Sequence, residues 1–429
     1  MITKEQKDKA IAILSSVADS KLETHLNSCV RCGLCANSCM FYKTYQKAQY
    51  IPAYKVDMMA GLYRRYHTLE GKILGKCVGA KELNDNTVQE MVDLFFGSCT
   101  LCGRCVKHCS IGVDIAFLVK KGREMISVMG KTPPSLMASV NTTLQSGNSM
   151  GIPTHEFVDT IQWMEEELQD ELGDASASIP IDQQGKRIHY TLNPREPKFF
   201  PLSISAMAKI FYAAKESWTL SSKFYDVTNY GLFCGDNDVA REIVQRLHDQ
   251  THRLQAQRLV LGECGHGTRA TRWEGPNWLQ TSYDFETLSA MELIGEYIRQ
   301  GRIKLDKSLN QKRYTVHDPC NLVRNGGLCN ELRFVVQHSV SHLVEMTPCG
   351  VDNFCCGGGG GNLAMSEYNE RRLKVGEVKA NQIRQTGAQV VITPCHNCVD
   401  QLIQLNHTYK LGVEIKTVAE VVADALLLN

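Results

Sequence analysis

The sequence predicts a multidomain protein of mixed α+β and α/β class, with a helical N-terminal region followed by two α/β half-domains built on one plan. Three observations predict it. Nine of the 18 cysteines lie before residue 110, none between 110 and 233, and nine beyond, so the chain is divided by chemistry. From about residue 186, short apolar runs such as LVLG and VVIT lead into cysteines and alternate with helical segments, a unit of strand, cysteine loop and helix. The stretch 233–267, FCGDND to GECGHG, also aligns loosely with 355–398, CCGGGGG to PCHNC: a Cys-Gly loop, a helix, a strand and a cysteine turn in each.

Each element follows in order. The start, MITKEQKDKAIAILSSVADSKLE, reads as an amphipathic helix carrying both charge signs, without the basic n-region and unbroken apolar core of a signal peptide. Helical spacing continues through the tyrosine-rich and basic stretch YKTYQKAQYIPAYKVDMMAGLYRRYHTLEGK. Pro133-Pro134 and a polar segment lead into the acidic helix DTIQWMEEELQDELGDA, which makes 131–185 a helical linker. The runs NYGLFCGDND, RLVLGECGHG, RYTVHDPC and AQVVITPCHNC then mark the two copies, 186–300 and 301–429. In their alignment Cys234 matches Cys356, Cys264 matches Cys395, and Gly267 stands where Cys398 would be, so the first copy lacks ligands that the second keeps.

Composition narrows the function. Lys plus Arg (47) balances Asp plus Glu (46), so no global field recruits nucleic acid, and no nucleic-acid partner is expected. The apolar fraction of 43% is ample for buried cores, yet no apolar run approaches the roughly 20 residues that span a bilayer. A cytoplasmic location is expected, and in a reducing compartment clustered cysteines read as metal ligands.

Cys29, Cys32, Cys35 and Cys39 follow C-x2-C-x2-C-x3-C, and Cys99, Cys102, Cys105 and Cys109 repeat it. Three thiolates at this pitch wrap one corner of a 4Fe-4S cube, and in two-cluster ferredoxins the fourth cysteine crosses to the other cluster. One cubane is therefore assigned to Cys29, Cys32, Cys35 and Cys109, the other to Cys99, Cys102, Cys105 and Cys39. Gly33 and Gly103 fit a loop whose amides turn toward sulfide. Zinc also takes thiolates, but its motifs offer ligands in pairs. The proline that commonly follows the fourth cysteine is Met40 in one run and Ser110 in the other. Cys77 has no partner at motif spacing and reads as a core thiol. No Rossmann fingerprint or Walker loop is present in the sequence.

Further on, 34 residues separate Cys320 from the vicinal pair Cys355-Cys356, and 38 separate Cys356 from Cys395-x-x-Cys398. This spacing resembles the CCG motif of heterodisulfide reductases. Paired cysteine runs, a degenerate CCG half and then a complete one resemble, over almost the whole chain, the sulfate-reducer relatives of the D-type heterodisulfide reductase polypeptide: DsrK, TmcB and HmcF. The resemblance implies a helical ferredoxin-like domain with two cubanes (1–130), a helical linker (131–185), a degenerate CCG half-domain (186–300) and a complete one with a noncubane 4Fe-4S cluster (301–429). It implies Cys320, Cys355, Cys356, Cys395 and Cys398 as ligands of that cluster, with Cys355 and Cys356 catalytic.

Gly357 and Gly358 would approach the cluster with bare amides, and Gly357 to Gly361 would floor the pocket for a substrate sulfur. Cys264 is expected as an extra ligand or exchanging thiol, and His266 as a proton donor, both reaching the cluster from the first copy. Cys329 and Cys349 are spare thiols, while His317 and His396 either cap loops or tune the cluster.

The implied activity is two-electron reduction of a disulfide or trisulfide, on a DsrC-type protein or a small heterodisulfide. The implied partners are an integral membrane haem b cytochrome of the DsrM or TmcC kind, a multihaem cytochrome c and other members of the complex, which would hold the chain to the inner face of the membrane. Competing readings are an electron-relay component of a flavin-dependent dehydrogenase, as in glycolate oxidase or anaerobic glycerol-3-phosphate dehydrogenase, and a zinc-thiolate scaffold.

Overall fold

The computed structural model describes residues 2–16 and 20–428. Residues 17–19, part of the stretch read as one N-terminal helix, lie outside the described residues; helices occupy Lys4–Ser16 and Ser20–Ser28 on either side. The chain forms two compact units. One comprises Met1–Ala138, Tyr230–Asn237 and Phe354–Lys379; the other comprises Ser139–Asn229, Asp238–Asn353 and Ala380–Asn429.

The first unit is helical, with no strand among its described residues. Its main helices, Pro52–His67 and Ile115–Val128, pack together. Proline at the first turn starts one of them, where its missing N–H costs nothing. Asp114 caps the other by accepting the Phe117 N–H at 2.9 Å. Met58, Met59, Leu118, Val119, Phe95 and Phe96 are buried in this unit. Gly122 is required there, since a Cβ would fall 2.2 Å from the Phe95 ring.

The second unit carries two four-stranded parallel sheets. The strands are β1 (Ile188–Tyr190), β2 (Trp218–Thr219), β3 (Arg258–Leu261), β4 (Glu286–Ser289), β5 (Arg313–Val316), β6 (His342–Leu343), β7 (Val390–Ile392) and β8 (Glu414–Lys416). Strand order is β2-β1-β3-β4 in one sheet and β6-β5-β7-β8 in the other. β1, β3 and β7 are buried along their whole length, as parallel strands covered on both faces are, and in β3 and β7 this accounts for the apolar runs LVL and VVI. One core joins both sheets through Ile188, Val260, Val316, Val390 and Ile392.

The acidic helix is present as Thr154–Leu172 and buries Phe157, Ile161, Met164 and Leu168, a 3.6-residue stripe, before ending at Gly173 with φ +63°. One apolar run behaves differently from its neighbours. Gly231–Cys234 is a short helix and not the end of a strand, and it stops at Gly235, φ +87°, where a Cβ would meet the Arg123 carbonyl at 2.4 Å. No described helix is long and apolar enough to cross a membrane.

Candidate iron-sulfur sites

The two N-terminal cysteine runs adopt one backbone plan. Arg31 and Gly33 have φ of 55° and 80°, and the corresponding Leu101 and Gly103 have φ of 52° and 72°. A left-handed residue two and four places after the first cysteine bends each loop around its thiols and frees amides to face sulfur. The Leu101 N–H points at Cys99 Sγ at 3.4 Å, and the Val113 N–H at Cys109 Sγ, also at 3.4 Å. Burial pushes the Cys35 thiol up, and the neighbouring Cys29 and Cys32 sulfurs add to it.

Cys39 leaves its own run and lines one space with Cys99, Cys102 and Cys105. Lys55 lines the same space; it is 2% exposed, and its Nζ has no hydrogen-bond partner among the described residues. Burial drives the Cys39 and Cys105 thiols up, and the Lys55 charge opposes that in both. A buried ammonium without a partner is costly unless an anion stands beside it. Four thiol ligands around one space, with one orphaned cation at its wall, fit an anionic 4Fe-4S cluster.

Downstream of Cys355-Cys356, the glycine run is pressed onto the second ligand loop. Gly359 carries no side chain where a Cβ would lie 3.2 Å from the Thr100 carbonyl oxygen and 3.5 Å from Cys355 Sγ. At Gly360, φ +64°, a Cβ would lie 2.7 Å from the Thr100 carbonyl carbon, and at Gly361 it would meet Leu136 at 3.2 Å. This corrects the expectation of an open pocket floor along the run: Gly359, Gly360 and Gly361 are bare so that chain can pack on chain. Gly357 has φ +105° and donates its N–H toward Cys355 Sγ at 3.4 Å, and Gly358 accepts the Leu363 N–H at 3.2 Å.

Two side chains pin this arrangement. The fully buried Arg123 guanidinium donates to the carbonyls of Phe95 (3.0 Å), Phe233 (2.7 Å), Gly360 (2.7 Å) and Cys99 (3.0 Å), and burial lowers it to about 10. Asn362 Nδ2 donates to the carbonyls of Phe96 and Cys99 at 3.3 and 3.2 Å.

In the second unit, the loops after β3 and β7 meet. Cys264 and Cys395 each precede a helix, and the Gly265 N–H points at Cys395 Sγ at 3.5 Å. A hydrogen bond from Cys398 holds the Cys395 thiol below its ordinary range against the effect of burial, while burial pushes Cys264 well up. His266 Nδ1 stands 3.4 Å from Cys264 Sγ, and burial lowers the imidazole to about 3, so the ring is neutral at neutral pH. Gly267, where the repeat would place a third cysteine, has no room for one: a Cβ would lie 2.0 Å from the Val227 carbonyl oxygen.

His396 donates its N–H to the Glu263 carbonyl at 2.9 Å, and its Nε2 lies 3.5 Å from Glu196. Burial disfavours the His396 cation, but Glu196 and Glu263 raise it to about 9; burial lifts Glu263 itself to about 8. Cys320 follows β5 and accepts the Asn325 N–H on its carbonyl at 2.9 Å. Beside it, Arg333 forks onto Asp318 at 2.6 and 3.0 Å, and Asp318 accepts the Gly350 N–H at 2.7 Å. The nearest ligand atoms of His317 and Cys398 lie within 4.8 Å of each other.

Lys55, Arg123, Asn362, Glu196 and Glu263 escape sequence reasoning, because each is recognised only by its burial among distant segments. Cys77 is exposed, in a 3-10 turn at Gly75–Val78 that buries none of its residues, so its reading as a core thiol is corrected. Cys329 and Cys349 are half-buried thiols.

Comparison with known proteins agrees with this geometry. Residues 25–113 match the 4Fe-4S dicluster domain family, and residues 314–403 match the cysteine-rich CCG domain family. The Hdr-like menaquinol oxidoreductase iron-sulfur subunit 2 of Archaeoglobus fulgidus is 26% identical over 450 residues, covering 94% of this chain and 80% of its own. The D-type polypeptide of the dihydromethanophenazine:CoB–CoM heterodisulfide reductase of Methanosarcina mazei is 26% identical over 423 residues, covering 94% of each chain. Over 94% of its length this chain is thus similar to Hdr-like and D-type heterodisulfide reductase iron-sulfur polypeptides. A more distant similarity, 23% identity over 422 residues, is to the EtfAB:quinone oxidoreductase of Syntrophomonas wolfei, of which this chain spans 54%.

Proposed function

We propose that this chain is the iron-sulfur component of a membrane-associated complex that reduces a disulfide or trisulfide, with a DsrC-type protein as the substrate and a small heterodisulfide next. It would stand with the DsrK, TmcB and HmcF group, at the cytoplasmic face of the membrane, attached through an integral haem b cytochrome of the DsrM or TmcC kind and served by a multihaem cytochrome c. When bound, two cubanes supply one-electron relay and a noncubane cluster supplies the seat for S–S cleavage.

One observation carries the reading. Gly359 lies against both the Thr100 carbonyl and Cys355 Sγ, so the loop bearing the vicinal cysteines and the loop bearing Cys99 and Cys102 are in contact. Contact between ligand loops keeps the path for electrons short. Each S–S bond cleaved takes two electrons and two protons; a disulfide gives two thiols, and a trisulfide gives one thiol and one persulfide. Lys55 would balance cluster charge at one wall, and Arg123 would hold the two loops in register.

The pairing of the two CCG halves is part of the proposal. It is supported by their equal strand orders and by the parallel placement of their Cys-Gly loops, 230–237 and 354–379, in the first unit. On this reading Cys320, Cys355, Cys356, Cys395 and Cys398 hold the noncubane cluster, with Gly357 and Gly358 beside it. Cys264 exchanges with substrate sulfur, and the neutral His266 orients the Cys264 thiol through Nδ1.

The test is EPR of the oxidised holoprotein with and without a DsrC-type substrate. A new substrate-dependent signal, with turnover lowered in Cys264→Ala and both cubane signals kept, supports catalysis on this chain. Spectra unmoved by substrate assign it to electron relay, in keeping with its likeness to the quinone oxidoreductase.

A further inference from the structure

A second cluster of ligating side chains lies outside the cysteine sites. His248 and His252 sit one turn apart on the helix Asn237–Arg253 and share a face. Their Nε2 atoms are 3.2 Å apart, and His252 Nε2 is also 3.2 Å from Asp284 Oδ1. The three ligand atoms all lie within 4.8 Å of one another. Zinc bonds of about 2.0–2.1 Å in tetrahedral geometry set ligand atoms about 3.3 Å apart, and both short separations match that edge.

The rings are held for the purpose. His248 Nδ1 is directed at Asp249 Oδ1 at 3.4 Å, leaving Nε2 as the inward atom, the carboxylate–histidine arrangement of metal sites. Phe285 packs on both imidazoles, with centroids 5.4 and 5.5 Å away, and stacks on Tyr283 at 5.3 Å. Without an ion, a single proton on His252 Nε2 would have to serve two acceptors at once; an ion lets all three atoms donate lone pairs.

We infer that His248, His252 and Asp284 bind one divalent ion of borderline softness, zinc(II), with a fourth position open to solvent. Two imidazoles and one carboxylate suit zinc and give calcium or magnesium, which prefer oxygen, little to hold. The ion clips the helix Asn237–Arg253 to the segment entering β4. It thereby stiffens the half of the second unit that carries Cys264, and it is independent of the cysteine sites.

The experiment uses the cluster-loaded full chain with zinc sulfate as probe, followed by gel filtration and elemental analysis. One zinc per chain is expected in the wild type and none in the His248→Gln/His252→Gln double variant, with iron and sulfide content equal in the two. Asp249→Asn should weaken zinc about tenfold through loss of ring orientation. Equal zinc in wild type and double variant, or none in either, overturns the site. If the double variant loses iron, Asp284→Asn decides. Its side chain is largely exposed; weakened zinc uptake upholds the site, and wild-type uptake overturns it.

Discussion

Gly360 lies against Thr100 so closely that a Cβ on it would stand 2.7 Å from the Thr100 carbonyl carbon. The glycine run after the vicinal cysteines is therefore a surface for one ligand loop to rest on another. Gly360→Ala adds a methyl group that has nowhere to go at a residue with φ +64°. A loss of about 2 kcal/mol is expected, read as a lower unfolding temperature. Cubane content should stay intact while electron arrival at Cys355-Cys356 slows, measured by rapid-freeze EPR.

Arg123 serves four carbonyls with one guanidinium. Arg123→Met keeps much of the volume and leaves those buried acceptors without their donor. Destabilisation of about 3–5 kcal/mol is expected in denaturant unfolding. Arg123→Lys should recover only part of it, since an ammonium cannot fork across four segments.

Lys55 is the buried cation beside Cys39, Cys99, Cys102 and Cys105. A positive charge near a cluster favours the reduced state. Lys55→Met should lower the midpoint potential of that cluster by on the order of 100 mV, from Coulomb's law at an effective dielectric constant of about 20. Redox titration followed by EPR reads the shift, and the cluster at Cys29, Cys32 and Cys35 serves as internal control.

Glu216 predicts an acid limit for the second unit. Burial acts to raise its carboxyl, but donors from Arg187 and Tyr297 outweigh it and leave the group at about 2, below its ordinary 4.5. A carboxylate depressed in the folded state contributes stability above its unfolded value and loses it as pH falls through the folded one. Glu216→Gln should cost about 2 kcal/mol at pH 7, and the gap from wild type should close between pH 4.5 and 2 in thermal unfolding.

Local features were legible in the sequence. The two cysteine runs, the strands at β3, β5 and β7, and the helix Thr154–Leu172 each depend on spacing within a short window, and spacing survives in one dimension. The glycine run was legible as permissive backbone but not in its use, because Thr100 approaches from some 250 residues away in the chain. Gly231–Cys234 was ambiguous for another reason: four apolar residues fit either period, and the contact of Gly235 with Arg123 decides where the helix stops. Lys55 and Glu263 are ordinary charged residues until burial gives them a role.

The most direct test of the central claim is an iron and sulfide count with EPR on Cys355→Ser and Cys356→Ser. The account predicts two 4Fe-4S signals at wild-type intensity, loss of the third cluster with its iron, and no disulfide or trisulfide reduction. A third-cluster signal and wild-type turnover in both variants would contradict it.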